Sequence, residues 1–72
     1  MSLSRVRPEP FRFDELDVVR TRATIQIDDG VIPSGSLGAV VIVHRDGRAY
    51  EVEFTQPFPA VVTLHSAELE AA

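Results

Sequence analysis

Apolar and polar residues alternate most cleanly over Arg48–Phe54 (RAYEVEF). Tyr50, Val52 and Phe54 fall on one side, and Ala49, Glu51 and Glu53 on the other. A period of two with β-branched and aromatic residues predicts a half-buried strand. Leu16–Arg22 (LDVVRTR) predicts a first strand, and Ala60–Leu64 (AVVTL) the last main one. Leu37–Val43 (LGAVVIV) is apolar at every position, so this strand meets apolar surroundings on both faces. Gly38 near its start predicts a bend or a close backbone approach. The same run is short and rich in Val, and with Gly38 it is a poor helix.

The connections follow from turn chemistry. His44-Arg45-Asp46-Gly47 places Asp-Gly between two strand-like runs, which predicts a hairpin with Gly47 at positive φ. Thr55–Pro59 (TQPFP) holds two prolines that cannot donate to a ladder, so it reads as a loop. Ala23–Ser36 carries Ile25 and Ile27 around Gln26, then Asp28-Asp29-Gly30 and Pro33-Ser34-Gly35. That pattern predicts a long folded-back hairpin loop covering one end of the domain. In the tail, Ser66–Leu69 predicts one helical turn capped by Ser66, with Leu69 returning to the core.

About five short strands, tight turns and a long loop after the first strand predict an all-β fold, an antiparallel barrel closed or nearly so. Closure suits a short chain because it leaves few free edges. Residues 1–10 read as an N-terminal arm, since Pro8 and Pro10 oppose a helix. Residues 11–72 read as a single domain.

With 72 residues there is room for one core and no cleft between domains. No cysteine is present to supply a disulfide or a thiolate metal site. Seven basic residues, all Arg, face eleven acidic ones, for a net charge of -4. Nucleic-acid binding draws on a surplus of cations to release counterions, so no nucleic-acid partner is expected. Arg5, Arg7 and Arg12 are largely offset by Glu9, Asp14 and Glu15. No run approaches the roughly 20 apolar residues of a membrane span, and the first residues lack the apolar core of a secretory signal. The expected location is cytoplasmic, with no membrane partner.

Several blocks together resemble a small bacterial family, the domain of unknown function numbered 4926. They are Leu16–Arg20, Ile32–Val41, Ala49–Phe54 and Val62–Leu64. The likeness spans about residues 13–69, and its most specific parts are Gly38-x-Val40-Val41 and Ala49–Phe54. The resemblance implies an SH3-like small barrel and brings no catalytic residue. The chain departs from the family at Thr55–Pro59, where two prolines and Phe58 replace a more polar turn.

Candidate chemistry is sparse. His44 and His65 read as surface histidines, Glu51 and Glu53 as charges on a wet sheet face, and Asp28-Asp29 as a turn. No catalytic, cofactor or metal residue is assigned, and no enzyme activity or cofactor is expected. The aromatic residues carry more. Tyr50 and Phe54 belong to the core, while Phe11, Phe13 and Phe58 are the candidate interaction surface, Phe11 and Phe58 instead sealing the barrel ends if they are not exposed. In SH3-like domains a groove beside the long loop receives an extended peptide. The expected function is a non-catalytic protein-interaction domain, an accessory or antitoxin- or immunity-like partner of an unidentified protein. A homo-oligomeric structural module, a nucleic-acid- or ribosome-associated barrel and an accessory enzyme subunit are the alternatives.

Overall fold

A computed structural model describes residues 13–44 and 47–72. The chain is all-β, with a five-stranded antiparallel sheet and a separate two-stranded hairpin. The strands are β1 (Val18–Thr21), β2 (Ile25–Ile27), β3 (Gly30–Ile32), β4 (Leu37–His44), β5 (Ala49–Phe54), β6 (Ala60–His65) and β7 (Leu69–Ala71). The large sheet is ordered β6-β5-β4-β1-β7. The long segment after β1 folds back as the β2–β3 hairpin, as its Asp-Asp-Gly turn predicts.

β1 is shorter than the expected Leu16–Arg22. Leu16 sits at φ 74 in a turn where Asp17 N–H donates to Asp14 O at 3.1 Å, which removes it from the extended region. A 3-10 turn, Ser66–Glu68, follows β6. Its cap is His65 rather than Ser66, and the His65 N–H donates to Glu68 Oε1 at 2.8 Å. Leu69 returns to the core at 3% exposure, and its strand pairs with β1. The sequence showed no alternation strong enough to announce β7.

The doubly apolar β4 has a specific cause. Val40 pairs with Val52, but Ile42 pairs with Glu51, so the register shifts at Val41. An extra residue of this kind is a β-bulge, and it reverses which parity faces inward. Gly38 and Val40 point to the core before it, and Val43 packs on the core after it. A strand that changes parity cannot show simple alternation.

The core gathers Phe13, Val19, Ile25, Ile32, Val40, Tyr50, Val52, Phe54, Val62, Leu64 and Leu69. Two polar side chains tie the loops to it. Tyr50 Oη donates to Gly47 O at 2.8 Å and accepts from Phe13 N–H at 3.0 Å, and Gly47 stands at φ 91 as its turn requires. Thr21 is 2% exposed; its Oγ1 donates to Pro33 O at 3.0 Å and accepts from Ser36 N–H at 3.1 Å. Removing the phenol oxygen strands a buried donor and a buried acceptor. Tyr50→Phe should therefore cost about 1–3 kcal/mol, read as a lower thermal midpoint with an unchanged folded spectrum. A midpoint within a degree of the parent would contradict this wiring.

Candidate functional site

Phe13 lies in the core, not on the surface. It is 5% exposed, and its ring meets Tyr50 edge-on with centroids 5.4 Å apart. Phe13 follows a predicted arm in the sequence, and no alternation reveals that the chain turns inward there. Phe58 is half-buried, and a Cβ on Gly30 would stand 3.1 Å from its ring. It seals the gap between the proline loop and the β2–β3 hairpin. Phe11 lies outside the described residues.

The surface that remains is a shallow apolar groove. One part, about 480 Å³, is lined by Pro33, Ser36 and Leu37 on one side and Thr55, Gln56 and Pro57 on the other. A second part, about 300 Å³, continues past Leu37 and Thr55 to Val18, Gly38, Ala39 and Glu53. The tie from Thr21 to Pro33 and Ser36 holds one wall in place, and Phe58 anchors the other. The groove lies beside the long loop, where an interaction groove is expected, but prolines and Leu37 form it instead of aromatic residues.

The outer sheet face extends this surface. Val18 pairs with Ala39, Ala39 with Glu53, and Glu53 with Val61, giving one transverse row across four strands. Val18 is 53% and Val61 59% exposed. Strand alternation assigns these positions to the wet face, so apolar residues there are the signal that sequence reading missed.

The titratable residues form a second, smaller arrangement on the same face. The Glu51 carboxylate accepts from Thr63 Oγ1 at 2.6 Å and contacts His44 Nε2 at 3.0 Å. His65 stands in register with Ala49 and His44, and does not join them. Thr63's hydrogen bond first, then His44's, hold the Glu51 carboxyl below its ordinary value of 4.5. The lowered value belongs to the folded state. Its stabilisation is therefore present above pH 4.5 and fades as pH falls through the folded value. Glu51→Gln should flatten the dependence of the thermal midpoint on pH below 4.5, and equal slopes in both proteins would refute it.

Asp28 and Asp29 form the β2–β3 turn. Among the described residues no group of three or more His, Asp or Glu is placed to hold a metal ion. No described helix is long and apolar enough to cross a membrane.

No family model, curated protein or solved structure matches this chain.

Proposed function

We propose that this chain is a non-catalytic protein-interaction domain on an SH3-like small barrel. The order of the five strands, the hairpin inserted after β1 and the 3-10 turn before β7 support that architecture. The observation that carries the function is the apolar groove between Pro33–Leu37 and Thr55–Pro57. Both walls are set by packing, so a bound segment loses little to reorganisation of the domain.

Glu53 is the one charged residue among those lining the two parts of the groove. An apolar, extended segment of a partner protein, with an Arg or Lys beside it, complements this lining. The acidic net charge favours the approach of such a partner.

A photo-crosslinking residue at Leu37 tests the reading in the cells that make the protein. The expected result is a discrete adduct with another protein, absent when the crosslinker sits at Asp28 on the β2–β3 turn. Leu37→Asp, at a position 50% exposed, should abolish partner binding while the domain stays folded. Equal adducts from both positions, or none from Leu37, would remove the groove from consideration.

A further inference from the structure

β6 ends the large sheet, and among the described residues no strand lies beyond it. Its backbone pairing shows what that edge offers. Ser66 N–H donates to Arg48 O at 3.0 Å, one step past the Ala49–His65 pair. In an antiparallel ladder, hydrogen-bonded pairs alternate with non-bonded ones. Leu64, Val62 and Ala60 therefore direct their backbone groups toward β5. Val61, Thr63 and His65 direct theirs outward, away from the sheet.

The outward edge is closed at both ends. Pro59 precedes the strand and carries no N–H, and the His65 N–H is occupied by Glu68 Oε1 at 2.8 Å. The window between them holds the N–H and C=O of Val61 and Thr63. No charged residue or proline interrupts Ala60–His65, and no bulge interrupts its pairing with β5. Edges are ordinarily protected by such features. The other terminal strand, β7, is three residues long and carries Glu70.

We propose that the β6 edge is a homodimer interface, in which two copies pair antiparallel about a two-fold axis at Val62. Val61 of one copy then faces Thr63 of the second, and each pair exchanges two hydrogen bonds. This register uses every backbone group in the window. Centring the axis on Val61 or Thr63 instead sets an open position against Pro59 or the capped His65. In a second copy the two closed ends, Pro59 of one chain and the capped His65 N–H of the other, fall opposite each other, so no open N–H of the window faces a closed position. The paired strand carries no Asp, Glu or Arg, and the carboxylates of Glu51 and Glu53 lie one strand in on β5. Isologous pairing consumes the edge and closes the assembly as a dimer. Val61 and Thr63 of the two copies would also join their apolar outer faces side by side.

Sedimentation of the full chain and amide exchange at several concentrations test this together. Over about 5–500 µM the mass should rise from monomer toward dimer. Amide protection at Val61 and Thr63 should rise in step, whereas Val62 and Leu64 stay protected throughout. Val61→Lys places a charge on an exposed position and should weaken the dimer at least roughly tenfold while leaving the fold intact. A monomer at the highest concentration overturns the proposal. So does protection of Val61 and Thr63 that ignores concentration and vanishes on deleting residues 1–12, since the chain's own N-terminal segment would then occupy the edge. A dimer unaffected by Val61→Lys, with rapid exchange at both amides, places the interface elsewhere and overturns it too.

Discussion

Val52→Asp is expected to abolish cooperative folding. Val52 is fully buried, between Val40 on β4 and Val62 on β6 in one inward row. A carboxylate at its place loses its hydration and finds no cation, which costs several kcal/mol. Protonation relieves the charge but still leaves polar oxygens among valines. A chain of this length holds about 4–11 kcal/mol of stability in total. The substitution therefore uses up most or all of it, and no sigmoidal thermal transition should remain. Glu53→Ala, one residue on and exposed, should stay within about 0.5 kcal/mol of the parent. Comparable losses from the two changes would mean that the register of β5 is wrong by one residue.

Gly38→Ala is expected to destabilise strongly, although alanine is the smallest side chain available. A Cβ at Gly38 would stand 2.6 Å from Val52 Cγ1 and 3.0 Å from both Glu53 O and Phe54 Cε2. The backbone oxygen cannot step aside, and the valine and phenylalanine are held in the core. Overpacking of this kind costs about 1–3 kcal/mol. In a domain this small that corresponds to a fall in the thermal midpoint of roughly 4–24 °C. Melting curves would show it, and an unchanged midpoint would disprove the close approach of β4 to β5. Gly35 makes a useful comparison on space alone, since nothing lies within 4 Å of a Cβ there. Its φ of 88 adds a backbone cost of a different origin.

These two positions also show how the sequence carries the fold. The inward placement of Tyr50, Val52 and Phe54 follows from alternation, which depends on neighbours two residues apart. The hairpin turn at Gly47 and the break at Thr55–Pro59 are equally local. Gly38 drew attention as a site of close approach, but which atoms approach it depends on β5, some fifteen residues away. Phe13 was misplaced for a related reason. Its burial rests on the Tyr50 hydroxyl accepting from its backbone, a contact across 37 residues. Among the described residues β7 pairs only with β1, at the opposite end of the chain, and its three residues are too few to form a pattern.

The groove was harder to foresee than the strands. Pro33–Leu37 and Thr55–Pro57 each read as ordinary connections, and only their juxtaposition makes a surface. Glu51 likewise read as a solvated charge, because its partners His44 and Thr63 come from the strands on either side.

By itself the sequence determined that the chain is built of strands, where most of them turn, and which face of β5 is buried. Each of these is set by side-chain size, polarity and φ preference within a few residues. Only the tertiary structure decided the bulge at Val41, the order of strands, the groove and the place of β6 at the end of the sheet among the described residues. Those depend on which distant segments become neighbours, and that choice is made by the packing of the whole core.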